Sequence, residues 1–289
     1  MKKKIISVIV GVAGLAAAYF VVSGISHIVY NRPVDNAATE STAETTEQGT
    51  EEAKAAMTED EINAMLAGMK ATETAETATE EQSEVIPVKF EELQAVNTDI
   101  YAWITVPGTV IDYPILQHAS DNTYYLMHNI DGSYGYPGCV YTENMNSKDF
   151  TDNNTVIYGH NMKNGSMFAQ LHKFEDPDFF NENREVLIYL PDEVLHYTIF
   201  AAHVYDDRHL LYSFDFTDPE VYQKYLDSIF STRDMSANID KDVTVTADDQ
   251  IITLVTCIGS QPNNRLLVQA VLTDREPGAE AAQSAVATE

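Results

Sequence analysis

Between Tyr101 and Leu272 the chain is divided into short runs of β-branched and aromatic residues, each bounded by Gly, Pro, Asn or Asp. Runs of this length suit strands, and the punctuating residues supply turns. The strands predicted are Tyr101–Val106, Val110–Ile115, Gly138–Thr142, Thr155–Tyr158, Val186–Leu190, Leu195–His203, Ile251–Thr256 and Leu266–Leu272. So many short strands predict a mainly β domain closed into a barrel. Two helices are expected around them. After Pro87, the spacing of Phe90, Leu93 and Val96 predicts one; Thr217 or Asp218 as cap, Pro219 in the first turn and the apolar face Tyr222, Tyr225, Leu226 and Ile229 predict another, inserted before the last strands.

The flanks have a different composition. The 289 residues carry 45 acidic and 17 basic side chains, a formal charge of −28, and much of the excess lies between Asp35 and Glu84. So few basic residues exclude a nucleic-acid partner, because phosphate binding needs clustered Lys and Arg. Lys2, Lys3 and Lys4 precede an uncharged run from Ile5 to Val22, about long enough to cross a bilayer. Positive flanks stay inside, so the N-terminus is expected in the cytoplasm and the remainder outside, as a single-pass membrane protein. A cleavable signal peptide, processed near Ala16, Ala17 and Ala18, is the rival reading and also exports the domain. The domains expected are an N-terminus and anchor over 1–31, an acidic stalk over 32–84, a globular domain over 85–275 and a disordered tail over 276–289. Within the stalk, Thr58 and Glu61 form a capping box ahead of Ile62, Met65, Leu66 and Met69, which predicts a short amphipathic helix of marginal stability.

Three residues stand out chemically. Cys257 ends the run Ile251–Thr256 and is followed by turn-forming residues, so a strand fixes its backbone while a loop leaves the thiol approachable. His160 ends the run Thr155–Gly159 in the same manner. Arg265 opens the last strand, and a turn between the two strands would return it beside Cys257; its planar guanidinium can hold a carbonyl and stabilise an oxyanion. Of the other histidines, His118 and His128 lie in a loop-like stretch and are the rivals to His160, while His172, His196, His203 and His209 read as surface or strand residues. The bland alternative for the two cysteines is a Cys139–Cys257 disulfide, although Cys139, within an apolar run, also reads as a small buried hydrophobe. No metal-ligand spacing and no cofactor motif is present in the sequence.

Taken together, Tyr158-Gly159-His160, Thr253-Leu254-Val255-Thr256-Cys257 and Arg265 resemble the motifs of sortases, in the same order. The resemblance to class B sortases extends through Trp103-Ile104, Pro107-Gly108-Thr109, Ile111-Asp112-Tyr113-Pro114, Asp121-Asn122, Tyr125-Leu126, Asn161-Met162 and Gly165-Ser166-Met167-Phe168. It implies a closed sortase-type β-barrel with N-terminal helices and an inserted helix before the Cys strand. It also implies a membrane-anchored transpeptidase that needs no cofactor. Such an enzyme cleaves a C-terminal sorting motif of exported surface proteins after its Thr and joins the new end to an amine of a peptidoglycan precursor or a pilin lysine. The roles implied are nucleophile for Cys257, proton donor for His160 and electrostatic partner for Arg265. Asn122, Leu126, Tyr158, Thr256, Tyr225 and Ile229 are expected to line or cover the peptide groove. The sequence departs from the class B pattern at Val255, where a Ser is common, and at Ile258, which replaces a more polar residue.

Other extracytoplasmic readings compete. Papain-like peptidases and wall hydrolases place the Cys at a helix start with the His later in the chain, the reverse of the order here. An L,D-transpeptidase carries a Gly before its Cys, where this chain has Thr256. A surface adhesin on a stalk would need no free thiol at Cys257.

Overall fold

The computed structural model describes residues 57–70 and 86–278. The expected membrane span, most of the stalk and all but the first residues of the C-terminal tail lie outside the described residues. Among the described residues no helix is long and apolar enough to cross a membrane.

Among the described residues nine strands form one sheet: β1 (Ile100–Thr105), β2 (Asp112–Leu116), β3 (Val140–Thr142), β4 (Asn154–Tyr158), β5 (Glu185–Tyr189), β6 (Glu193–Asp206), β7 (Asn238–Ile239), β8 (Ile251–Ile258) and β9 (Gln261–Pro277). Their order is β5-β1-β2-β3-β4-β8-β9-β6-β7, and β5 pairs back onto β6. Eight strands therefore close into a barrel without edges, and β7 is a two-residue addition to β6. The pairs β2–β3 and β4–β8 are parallel and the others antiparallel.

The strands read as continuous apolar runs because both faces are covered. Along β8, Ile252 and Leu254 join the barrel interior with Ile104, Ile157, Ile188 and Val268. The alternate residues Ile251 and Val255 pack outward beneath the helix Pro219–Phe230, against Tyr222, Tyr225 and Leu226. That helix begins as expected, with the Asp218 carboxylate accepting from the amides of Glu220 and Val221 and with Pro219 in the first turn. The helix Phe90–Val96 also forms, and buries Phe90 and Leu93 beside Trp103 and Leu116 on another outer face.

The helix Glu59–Met69 corrects the expectation of a solvated stalk. Its Thr58–Glu61 capping box is present, but Ile62 and Leu66 are buried against the outer face of the barrel. Two polar ties flank it: the Met57 amide donates to Asp131 at 3.2 Å, and Lys70 Nζ reaches both Asp112 oxygens at 2.6 and 2.8 Å. A helix this short is marginal alone, and tertiary packing of its apolar face stabilises it. Packing onto the barrel thus includes residues 57–70, which precede residue 85.

Other boundaries also differ. β9 starts at Gln261, five residues earlier than expected, because Gly259 and Ser260 alone make the turn, and it runs to Pro277, opposite Glu193. The short helices Pro177–Glu182 and Leu210–Ser213 and the 3-10 segment Phe168–Glu175 were not anticipated, since each is too short to show a sustained apolar period.

Asp112 also accepts from Trp103 Nε1 at 2.8 Å and from Thr105 Oγ1 at 2.7 Å. Asp112→Ala leaves the buried indole N–H unpaired as well as breaking the ion pair, and is expected to cost about 2 kcal/mol. Lys70→Ala breaks only a partly exposed pair and should cost about 0.5 kcal/mol. Urea midpoints of the two variants check the ranking.

Candidate active site

The parallel pair β4–β8 builds the site. Asn154–Tyr158 lies in register with Ile251–Val255, so the chain leaving β4 stands level with the last residues of β8. One residue further, the Gly159 amide donates to the Val255 carbonyl at 3.2 Å and Thr256 Oγ1 donates to the Gly159 carbonyl at 2.9 Å. His160 and Cys257, separated by nearly a hundred residues of chain, therefore emerge from the same end of the barrel.

Cys257 shares the strand face of Ile251 and Val255. Those two residues lie beneath the helix Pro219–Phe230, whereas Cys257 lies beyond that cover and is exposed. Arg265 stands directly across from it on β9. In an unbroken hairpin with Ile258 opposite Gln261, Cys257 would face Pro262; the irregularity between Cys257 and Ile258 shifts the facing residue to Arg265. The guanidinium is folded back onto its own strand, with Nη1 donating to the carbonyls of Pro262 and Asn264, each at 2.9 Å.

His160 is held from two sides. Gly159 lets the chain pass close to a ring, for a Cβ there would meet Phe168 Cγ at 2.5 Å. The imidazole Nε2 lies 2.7 Å from the Leu126 carbonyl. A carbonyl only accepts, so Nε2 carries a hydrogen and Nδ1 is the basic nitrogen of the neutral ring. Burial lowers the His160 pKa below the ordinary histidine value, and the Leu126 carbonyl offsets part of that shift. Gly138 supports this carbonyl: its φ is +66°, and a Cβ there would meet Leu126 O at 2.9 Å.

Tyr136, which sequence reasoning missed, packs edge-on to His160 with ring centroids 5.1 Å apart. Burial first, and the nearby Cys257 second, raise its phenol pKa. Asn161 and His172 were missed as well. Asn161 Nδ2 donates to the Cys257 carbonyl at 2.8 Å, and His172 Nε2 lies 3.0 Å from that Nδ2 and 3.1 Å from the same carbonyl. The spacing of His172 and Glu175 on one helical turn was the available signal for the latter.

The expected groove residues divide into two groups. Asn122, Leu126 and Tyr158 are half-buried; the Leu126 carbonyl meets His160, Tyr158 stacks on Tyr141 and Asn122 Oδ1 accepts from the Asn144 amide. Thr256, Tyr225 and Ile229 correct the expectation, each being only 2% exposed. Thr256 has the opposite parity to Cys257 and is spent on the Gly159 carbonyl, while Tyr225 and Ile229 pack the helix onto the barrel. The disulfide reading fails, because both thiols are free and Cys139 is buried with its pKa raised by desolvation. The rivals His118 and His128 sandwich Tyr124 in a stack of rings, His118 at 4.4 Å and His128 at 3.9 Å.

A closed barrel that sets an exposed thiol across from an arginine, with an imidazole at the end of the adjoining parallel strand, has the parts of a cysteine acyl-transfer enzyme. The sortase domain profile matches residues 104–273, and the chain belongs to the sortase family of cysteine transpeptidases. It is similar to sortase B of Listeria monocytogenes, at 33% identity over 215 residues, covering 73% of this chain and 85% of that protein. Among solved structures, sortase B of Clostridium perfringens is 32% identical with a TM-score of 0.59, over 64% of this chain and all of that one. The Staphylococcus aureus sortase B–substrate complex is 27% identical with a TM-score of 0.57, over 64% and 84% of the two chains.

Two outcomes are expected from this geometry. Gly159→Ala should displace Phe168 and with it His160, destabilising the fold by about 2 kcal/mol and abolishing most turnover, as seen by thermal denaturation and a peptide assay. The second concerns pH. A histidine whose folded pKa is depressed binds fewer protons folded than unfolded, so its contribution to stability is whole above about 6.5 and declines as pH falls below that value. His160→Gln should therefore shrink the stability lost between about pH 7.5 and pH 5.5, measured by urea denaturation at both.

Proposed function

We propose that Cys257 is the nucleophile of a transpeptidation that cleaves a C-terminal sorting motif of an exported protein and joins its new end to an amine. The register that places Cys257 opposite Arg265, at the shared end of β4 and β8, carries this reading.

The thiol proton passes to Nδ1 of His160, whose Nε2 stays on the Leu126 carbonyl. The Cys257 thiolate attacks the carbonyl carbon of the motif's Thr, and the carbonyl electrons move to its oxygen. Arg265 stabilises that oxyanion: only its Nη1 is engaged among the described residues, and its fork retains further donors. Collapse of the intermediate breaks the peptide C–N bond, and the leaving amine takes the proton from His160. A thioester remains. An acceptor amine then attacks the thioester, His160 receives its proton, and the thiolate leaves as the new amide forms.

Asn122, Leu126 and Tyr158 are assigned to the rim of the peptide groove. The acceptor amine belongs to a peptidoglycan precursor or a pilin lysine. The uncharged run from Ile5 to Val22 supports a membrane tether with the barrel outside the cell.

Mass spectrometry of the full chain incubated with a sorting-motif peptide library tests the reading. Expected are an acyl adduct on Cys257, cleavage after Thr and transfer to an added amine, all lost in Cys257→Ala. No adduct and no cleavage across the library would sink it. Arg265→Lys keeps the charge but not the planar fork, and should lower kcat by about a hundredfold with the adduct still forming on Cys257.

A further inference from the structure

Where β4 leaves the sheet to present His160, β8 loses its main-chain partner. The Gly159 amide serves the Val255 carbonyl, but no backbone donor of β4 is in register with the next carbonyl on that side, that of Cys257. A side chain completes the ladder at this exposed carbonyl instead. Asn161 Nδ2 donates to the Cys257 carbonyl at 2.8 Å. The same amide nitrogen lies 3.0 Å from His172 Nε2, and His172 Nδ1 lies 2.8 Å from Glu175 Oε2.

The hydrogens in this chain of contacts follow from what each group can do. The Glu175 carboxylate only accepts, so His172 Nδ1 carries a hydrogen and, in the neutral ring, Nε2 accepts. The two amide hydrogens of Asn161 then have one acceptor each, Nε2 of His172 and the carbonyl of Cys257. This fixes which way the Asn161 amide is turned; flipped by 180°, it would set its oxygen against the Cys257 carbonyl.

We infer that His172, oriented by Glu175, is a positioning residue for the nucleophile: it locks the Asn161 amide that holds the Cys257–Ile258 peptide and so aims the thiol. The inference rests on Cys257 being the nucleophile, as proposed above. His172 touches no reacting atom; it acts through Asn161 on the backbone that carries the thiol. With Nε2 as acceptor, His172 and the Cys257 carbonyl oxygen, 3.1 Å apart, do not bond each other; both are served by the Asn161 amide that lies between them in the chain of contacts.

The test uses the full chain and two readouts: the rate of Cys257 alkylation by iodoacetamide, which needs no substrate, and kcat and KM for peptide transfer. His172→Ala should slow alkylation and lower kcat by about tenfold each, with KM changed by less than about twofold. His172→Gln sets an acceptor oxygen near the place of Nε2 and should recover most of both rates. Glu175→Ala should fall between His172→Ala and the wild type. Alkylation and kcat at wild-type levels in His172→Ala would overturn the inference, and so would His172→Gln no better than His172→Ala. If His172→Ala fails to fold, the comparison of His172→Gln with Glu175→Ala decides: both at wild-type rates, or both equally impaired, counts against positioning. A wild-type chain that is alkylated at Cys257 yet transfers no peptide counts against the transpeptidase reading and leaves the alkylation comparison intact.

Discussion

The parallel pairing of β4 with β8 is the constraint on which the rest of the site depends. Neither strand could bring His160 to Cys257 by local chain geometry, since the two are far apart in sequence. Five consecutive register pairs, and the Gly159 and Thr256 hydrogen bonds just past them, set both strand ends to the same height. Parallel pairs need covered faces, and this one has them: the barrel interior on one side and the helix Pro219–Phe230 on the other. Cys257 becomes a usable thiol where the second cover ends.

Around this seam, backbone groups released from the ladder are taken up by side chains. Thr256 serves the Gly159 carbonyl and Asn161 serves the Cys257 carbonyl. The Leu126 carbonyl, kept accessible by the missing side chain at Gly138, receives the His160 ring. The His160 ring and the Cys257 backbone are thereby held by hydrogen bonds from segments that flank the paired strands. The helix Glu59–Met69 packs against the outer face near Ile130 and Cys139, which joins the N-terminal segment to the stretch that carries Leu126 and Tyr136.

Much of the barrel was legible because strand runs and turn residues are local signals. All eight expected strands exist, with ends moved by a few residues, and the Asp218–Pro219 helix start matches. The positions of Cys257 and His160 near strand ends were legible because each stands at the end of a run where apolar alternation stops. The groove residues were less so: burial of Thr256, Tyr225 and Ile229 depends on which strand face meets which helix, and no local pattern records that. The docking of Ile62 and Leu66 was hidden for the same reason, since an isolated short amphipathic helix looks marginal whether or not a surface awaits it.

By itself, the sequence determined that a β-barrel would form and that a thiol and an imidazole would stand near strand ends, because side-chain periodicity and turn chemistry act over a few residues. Tertiary structure alone decided that they share one end of the barrel. It decided too that Arg265 faces Cys257 through a break in the hairpin register, and that Asn161, in contact with His172, holds the carbonyl beside the thiol. Those outcomes depend on pairings between distant strands, whose register is chosen by closing the barrel as a whole.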